Sequence, residues 1–223
     1  MKSFVTVYLT FTALACFAQN GSQVGQTIVL QNFQDARKYA LGPGNLIEGS
    51  PYYEDVFFLS KVEGIDKVFL SKYNIALDQF EFKEDEEVYI LPKKPVYKTV
   101  ILPKSKFVLL DYTSDNILKN GYLIELFKSD NVSLYKKLRI KTTEIQEAKA
   151  YEKASPARYV KISPEYYIQI KENGIVNFPK NKKELLSLFS VSNEKIEDYL
   201  KKNKTSFKSD DDLIKLTSFL AEL

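Results

Sequence analysis

Short runs of aromatic and β-branched residues, each followed by a turn signal, recur every eight to fifteen positions between Tyr52 and Ile145. Such residues fit the half-buried face of a pleated sheet, and frequent turns favour strands that pair with their neighbours in antiparallel order. Residues 52–145 are therefore expected to form an antiparallel β body. The pattern predicts eight strands in it, at residues 56–59, 67–75, 80–83, 88–91, 96–102, 107–112, 122–127 and 133–142.

The last of these predicted strands shows the clearest alternation. Leu134, Leu138 and Ile140 share one face, whereas Lys137 and Arg139 lie on the opposite face. Alternation of this kind is typical of a strand that buries one face and exposes the other to water. We therefore expect a solvated face that carries the basic side chains.

A polar connector and a hairpin are expected after the β body. Residues 146–158 are rich in alanine, lysine and glutamate, and they lack an apolar stripe wide enough to dock a helix. Beyond them, apolar runs at 166–170 and 175–178 flank a turn that contains Asn173-Gly174. Asn-Gly between apolar runs predicts a β-hairpin, because both residues tolerate the positive φ of a type I′ turn.

Three short helices are expected toward the C-terminus, where the apolar period changes from two to about 3.6. Asn181, with Glu184 three residues later, matches the capping pattern of a first helix. A second helix is expected to begin at Ser192 or Asn193. A third follows Ser209, where three successive aspartates favour the positive end of a helix dipole.

Together these features predict an α+β protein. Its main part is an antiparallel β-sheet, built as a sandwich or an open barrel, and residues 159–223 supply a β-hairpin and a C-terminal cap of short helices. Residues 19–51 contain five glycines and two prolines and are expected to form a loosely structured lead-in. One strand at 27–30 and one helix at 31–41, ended by Gly42-Pro43, are predicted within it.

The N-terminus has the features of a secretory signal peptide. Lys2 precedes a run without charged side chains that extends through Ala18. About fifteen apolar residues are too few to cross a hydrocarbon core of roughly 30 Å as a helix. Small residues before Gln19 suit signal peptidase, so residues 1–18 are expected to be removed, leaving no transmembrane segment. We expect export to the periplasm or the extracellular space, with a lipoprotein acylated at Cys16 as the alternative.

The composition of the mature chain excludes several classes of site. The sequence has no histidine, and its single cysteine, Cys16, leaves with the signal peptide. Catalytic triads that use histidine, His-ligated zinc and disulfides are therefore excluded, and no catalytic residue, metal ligand or cofactor is assigned. With 32 basic and 29 acidic residues, the chain has no charge excess that would favour nucleic acid as a partner.

Several short motifs resemble those of small secreted proteins of Bacteroidota with a signal peptide, a β-rich body and a helical C-terminus. These motifs consist of turn, strand and capping residues, so the resemblance implies a compartment and supplies no activity. It implies export, because proteins of this kind are made with signal peptides by Gram-negative cells. The motifs are Gly49-Ser50-Pro51-Tyr52, Tyr73-Asn74, 78–82, Tyr166-Tyr167, 181–185 and 212–216.

Two acidic runs are candidate cation sites. The first lacks the glycine that an EF-hand calcium loop needs at its sixth position, so a solvated hairpin turn is the favoured interpretation. For the second, the first turn of a helix is favoured. The two runs are Glu81, Glu84, Asp85, Glu86 and Glu87, and Asp210, Asp211 and Asp212.

Aromatic and basic side chains form a candidate binding surface. Lysines 93 to 106 lie in a stretch without an acidic residue, and paired tyrosines place one ring on each face of a strand. The structural alternative is that the lysines guard a sheet edge and that one tyrosine of each pair packs in the core. The candidate residues are Tyr52, Tyr53, Lys93, Lys94, Tyr97 and Lys98.

The favoured function is therefore a non-catalytic secreted or cell-envelope protein that binds an envelope protein or a glycan through its sheet. One alternative is a glycan hydrolase that uses carboxylates alone, with two carboxyl groups about 5–5.5 Å or about 6.5–9.5 Å apart across a cleft. Another alternative is a structural or stress-related envelope protein without a large exposed apolar patch.

Overall fold

The computed structural model describes residues 37–38, 47–145, 155–189 and 193–223. Within these residues, eleven strands are followed by three helices. The strands are β1 (Arg37–Lys38), β2 (Phe58–Val62), β3 (Val68–Asn74), β4 (Gln79–Glu84), β5 (Glu87–Ile90), β6 (Thr99–Leu102), β7 (Ser105–Ser114), β8 (Ile117–Lys128), β9 (Val132–Thr142), β10 (Tyr159–Ile170) and β11 (Ile175–Asn177). The helices are α1 (Lys182–Leu188), α2 (Asn193–Asn203) and α3 (Asp210–Leu220). The predicted α+β class is confirmed.

All described strands belong to one sheet, in the order β1-β5-β4-β3-β2-β6-β7-β11-β10-β9-β8. β8 also pairs with β7, so the five strands from β7 to β11 close into a ring. Neighbouring strands run antiparallel except β11 and β7, where Ile175 lies parallel to and opposite Tyr112. A closed ring with an odd number of strands needs at least one parallel pair, and the short strand β11 provides it.

The sheet curls twice and encloses two apolar cores. The first core lies between the inner face of β2 to β6 and the outside of the ring, and it includes Phe80, Phe82 and Phe107. The second core fills the ring and is built around Tyr112, Leu123, Tyr135, Tyr167 and Ile175. Many of the aromatic side chains of the described residues therefore lie on the faces that the two curls bury.

The helices cover a third core on the outside of β9 and β10. Leu134 and Ile168 are fully buried beneath them. Full burial of one such side chain contributes about 1.5–3 kcal/mol, which holds the helical cap on the sheet. The helices contribute Leu185, Ile196, Leu213, Leu216 and Leu220 to this core.

The first and third helices begin at the capping residues that the sequence predicted. The Asn181 side chain accepts a hydrogen bond from the backbone N–H of Glu184 at 3.0 Å and begins α1. Ser209 accepts from the N–H of Asp212 and begins α3. Among the described residues, no helix has the length and apolar character that crossing a membrane requires.

The N-terminal end of β9 is covered on both faces, so the prediction that one face of this strand is solvated is wrong there. Leu134 faces the helices, and Tyr135, which is 4% exposed, lies inside the ring. Even the Lys137 side chain is only 14% exposed. The alternation sorted the side chains into two sets, but ring closure and the helical cap bury both sets.

The predicted hairpin forms, but its turn differs from the expected type I′ turn. β10 and β11 pair antiparallel, with Tyr167 opposite Asn177. The positive φ in the loop belongs to Lys171, at 51°, and neither Asn173 nor Gly174 has one. The loop instead closes with a hydrogen bond from the Asn173 N–H to the Ile170 carbonyl at 3.1 Å.

Two further predictions of secondary structure are corrected. The helix expected at 31–41 is wrong at Arg37 and Lys38, which form the edge strand β1 and pair with β5. A strand was also expected to start at residue 96, but Pro95–Tyr97 forms a 3₁₀ turn because proline cannot donate to a sheet ladder. The signal peptide, the strand at 27–30 and most of the connector lie outside the described residues.

Candidate functional site

Several apolar side chains are exposed together on the outer face of β2, β3 and β6. Leu59 and Leu70 lie directly opposite each other in neighbouring strands and are 64% and 42% exposed. Lys61 lies between Val68 on β3 and Ile101 on β6, and both of these apolar side chains are exposed. Lys83 on β4 lies opposite Leu70 and extends the row. We call this set the outer patch: Leu59, Lys61, Val68, Leu70, Lys83 and Ile101.

The outer patch is continuous, which distinguishes it from scattered surface residues. Single exposed apolar side chains are normal on a folded protein, whereas neighbouring ones mark interaction sites. The outer patch was not predicted from the sequence, although Val68-Phe69-Leu70 is apolar at three successive positions. A strand with that sequence places apolar side chains on both faces, and here only the face of Phe69 is buried.

The other end of the same sheet face is covered by the segment before β2. The Tyr52 hydroxyl donates to the Glu81 carboxylate at 3.0 Å. The Lys72 ammonium lies 3.5 Å from the centre of the Tyr52 ring and 4.8 Å from that of Phe57. Burial of Lys72 lowers the pKa of its ammonium, and the Glu81 carboxylate opposes that effect. This segment leaves the outer patch as the open part of the face.

The six residues predicted as a binding surface occupy four different environments. Tyr52 lies on the outer face, and Tyr53 packs edge-on against Phe107 at 5.8 Å between ring centres. Tyr97 is 6% exposed and belongs to the first core, because the 3₁₀ turn points its ring inward. Lys93 extends to the carboxylate of Asp78 at 2.7 Å. The remaining two residues, Lys94 and Lys98, flank the 3₁₀ turn.

The pairing of successive tyrosines follows the structural alternative. Tyr53 packs on the first core, while Tyr52 lies on the opposite face. In the second pair, Tyr167 fills the ring and Tyr166 packs beneath the helices. In each pair, one ring therefore packs against the first or the second core, and its neighbour lies on the opposite side of the chain.

A buried polar cluster surrounds Asp78, at the turn between β3 and β4. Lys137 on β9 donates to Asp78 Oδ1 at 2.6 Å, and the Tyr73 hydroxyl donates to the same oxygen at 2.5 Å. The backbone N–H of Tyr122 on β8 also donates to it at 3.2 Å. Lys93 binds the other oxygen. A single carboxylate thus joins the two halves of the sheet.

The electrostatics of this cluster favour the ion pair. Burial alone would raise the pKa of Asp78, but the Lys137 ammonium and hydrogen bonds from Lys137, Lys93 and Tyr73 lower it below its usual value. Burial lowers the pKa of Lys137, and Asp78 opposes that effect. The lowered pKa keeps the Asp78 carboxylate charged at neutral pH, so Asp78 is a fixed structural anion and is not poised to donate a proton.

The sequence pattern predicted none of these contacts around Asp78. Asp78 follows a predicted strand and carries a φ of 51°, which a short polar residue at a turn tolerates. Gly121 on β8 supplied the one signal in the sequence, because an isolated glycine in a strand marks a close approach. A Cβ at Gly121 would lie 2.5 Å from Asp78 Oδ2.

The acidic runs show no arrangement that holds a metal. Among the described residues, no group of three or more acidic side chains is placed to bind a cation. The first run forms the β4–β5 hairpin with Asp85 at its turn, and Glu81 is buried against Asn74 and Tyr52. In the second run, Asp212 lies in the first turn of α3, as expected.

Carboxylates line both the cleft beside β10 and the groove beside the β6–β7 hairpin. The cleft between β10 and the loop before α3 has a volume of about 440 Å³ and contains one, Glu165. The groove beside the β6–β7 hairpin, of about 530 Å³, contains Glu125 and Asp210. Glu125 lies 3.0 Å from Lys106, and Asp210 lies 2.6 Å from Lys136. Each carboxylate of the groove is therefore already paired with a lysine.

Comparison with known proteins adds no family to this geometry: no family model, curated protein or solved structure matches the chain.

Proposed function

We propose that this protein is an exported, non-catalytic protein that binds another protein through the outer patch. The observation that carries the proposal is the placement of Leu59 directly opposite Leu70 on a face that is open to solvent. The sequence features of a signal peptide support export. A cell-envelope protein is accordingly the proposed partner.

The energetics of such contact are favourable. Complete burial of a leucine, isoleucine or valine side chain contributes about 1.5–3 kcal/mol, and the outer patch exposes four of them. A micromolar dissociation constant corresponds to a binding free energy of about 8 kcal/mol in magnitude, and the contacts must also offset the entropy that is lost on association. The apolar residues can therefore provide the centre of an interface, and surrounding contacts must provide the rest.

The charges of the outer patch specify the chemistry of the partner. Lys61 lies at its centre, and Lys83 lies at its β4 side. A partner surface with apolar side chains and nearby carboxylates would complement both features. The lysines would steer association and select the orientation, whereas the apolar side chains would supply the affinity.

Site-specific photo-crosslinking in native cells tests the proposal. A benzophenone amino acid at Leu59 is expected to give one defined protein adduct in the envelope fraction. The matched control is Leu118, which is 73% exposed and lies in the β7–β8 hairpin, away from the outer patch. The control position is expected to give no such adduct.

A double substitution provides the second arm of the experiment. Leu59→Glu with Leu70→Glu should abolish the adduct formed from a benzophenone at Ile101, while the thermal midpoint stays close to that of the parent, because both leucines are exposed. Equal adducts from Leu59 and Leu118, or an adduct that survives the double substitution, would refute the proposal. A glycan adduct in place of a protein would also refute it.

A further inference from the structure

The cleft between β10 and the loop before α3 is formed by the end of β11. β11 stops at Asn177, and the last contact is a hydrogen bond from the Phe178 N–H to the Tyr166 carbonyl at 2.8 Å. β10 continues past this point, through an irregularity between Ile162 and Glu165 in its pairing with β9. Strand edges with bulges are frequent beside functional sites, since a bulge redirects side chains.

Three aromatic side chains contribute to the walls of the cleft. Phe178 and Phe207 pack against each other, with 6.4 Å between ring centres and an angle of 55° between the ring planes. Tyr166 forms a third side, and its hydroxyl donates to the Asp210 carboxylate at 2.7 Å. This bond links β10 to the N-terminus of α3 and so fixes the loop that carries Phe207. A volume of about 440 Å³ lies within the range of small-molecule sites.

The charges at the cleft are predominantly positive. Arg139, Lys180 and Lys208 line it together with a single carboxylate, Glu165. Glu165 lies 2.8 Å from the Arg139 guanidinium and also accepts from the Tyr167 hydroxyl at 2.8 Å. This carboxylate is therefore committed to positioning the arginine. Within the described ranges, neither lysine forms an ion pair.

We infer that this cleft binds a small organic anion, in which an aromatic or alicyclic body carries one carboxylate or phosphate group. The body would pack against the aromatic wall that Phe178 and Phe207 form, and the anionic group would contact Arg139 and the two lysines. Arginine suits this role because its planar guanidinium can hold Glu165 with one N–H and a ligand oxygen with others. The site is separate from the outer patch and does not depend on the proposed function.

Titration of the whole protein with three probes, followed by protein NMR, tests this inference. Phenylacetate and phenyl phosphate represent the two anionic groups, and phenylacetamide is the neutral analogue of the first. The anions should shift the backbone amide signals of Ser163, Glu165, Tyr166, Asn177, Phe178, Lys180, Phe207 and Lys208. They should bind at least about tenfold more tightly than the amide, since a charge-assisted hydrogen bond is worth that factor.

Charge reversal at the cleft separates the inference from general attraction of anions. Lys180→Glu with Lys208→Glu should weaken both anions by about tenfold or more and leave phenylacetamide unchanged. Arg139→Gln should have a similar effect, and Phe207→Ala should weaken all three probes. The matched control is Lys119→Glu, an exposed lysine in the β7–β8 hairpin, which should change nothing.

Three results would overturn the inference. One is the absence of shifts at the cleft with any probe at about 10 mM, well above an expected millimolar dissociation constant. Another is equal binding of phenylacetate and phenylacetamide. The third is an equal effect of Lys119→Glu and the double lysine variant. The Leu59→Glu, Leu70→Glu protein should bind the probes normally, so failure here is distinct from failure of the proposed protein partner.

Discussion

Asp78 and Lys137 form an ion pair with 2.6 Å between Oδ1 and Nζ, and their side chains are 21% and 14% exposed. Asp78 lies at the β3–β4 turn, and Lys137 lies 59 positions later on β9. The pair therefore links the first curl of the sheet to the ring. The gain from the ion pair is offset by desolvation, so the pair specifies how the halves join more than it adds net stability.

Asp78→Asn should destabilise the protein by about 3 kcal/mol, because Lys137 would remain buried without a counter-charge. Asparagine tolerates the positive φ of this turn, so the backbone is not the cause of the loss. Urea unfolding of both proteins measures the difference. The control is Asp115→Asn at another positive-φ turn, exposed to solvent, where the change should be near zero. Equal effects of the two substitutions would contradict the role of the ion pair.

Loss of the hydroxyl group should affect stability differently at two tyrosines beside Asp78. Tyr73→Phe removes a 2.5 Å hydrogen bond to Asp78 and should cost about 2 kcal/mol, as bonds to charged groups do. Tyr122→Phe should be neutral or slightly stabilising, because the buried Tyr122 hydroxyl has no protein partner in the described residues. Urea midpoints provide the test. A larger loss for Tyr122→Phe than for Tyr73→Phe would show that the hydrogen bonds are assigned wrongly.

Gly121→Ala should destabilise the protein by about 2 kcal/mol, because the new methyl group would lie 2.5 Å from Asp78 Oδ2 and 3.2 Å from Lys137 Nζ. Both atoms are held by the ion pair and cannot move away without weakening it. Gly174→Ala is the matched control, since a Cβ there meets nothing within 4 Å. Thermal unfolding of the two variants should show a lower midpoint for the first alone.

Stability should fall steeply above about pH 10, the ordinary pKa of tyrosine. Burial raises the pKa of Tyr112 from 10.0 to about 12, and the pKa values of Tyr73, Tyr122 and Tyr167 are also raised, chiefly by burial. The unfolded chain then loses these protons first, so the stabilisation is complete below pH 10 and is lost as the pH rises through 12.

The measurement is urea unfolding between about pH 9 and 12, together with tyrosinate absorbance. Each buried tyrosine should contribute up to about 1.4 kcal/mol for each pH unit above 10. Lys137 opposes this trend, because its pKa is lower in the folded protein than in the unfolded chain. Between those two pKa values the unfolded chain binds more protons, so this contribution to stability rises with pH. A flat stability profile across this range would mean that the rings are accessible to water.

The local pattern determined most of the secondary structure. Short aromatic and β-branched runs between turns predicted strands that overlap each of β2 to β9. Asn181 and Ser209 marked the starts of two helices, because a cap acts within one turn. Composition by itself excluded histidine-dependent triads and His-ligated metals, because the sequence contains no histidine. The α+β class followed from the local features of strands, turns and caps.

Tertiary structure alone decided how the faces of the strands were used. The tertiary fold buried both sides of β9, including Lys137, through ring closure and the helical cap, and it left Leu59 and Leu70 exposed on the outer face of β2 and β3. It also brought Asp78 to Lys137 and left a cleft where β11 ends. The physical reason is range: side-chain alternation and capping depend on neighbours in sequence, whereas burial and charge pairing depend on strands that meet only after the sheet has curled.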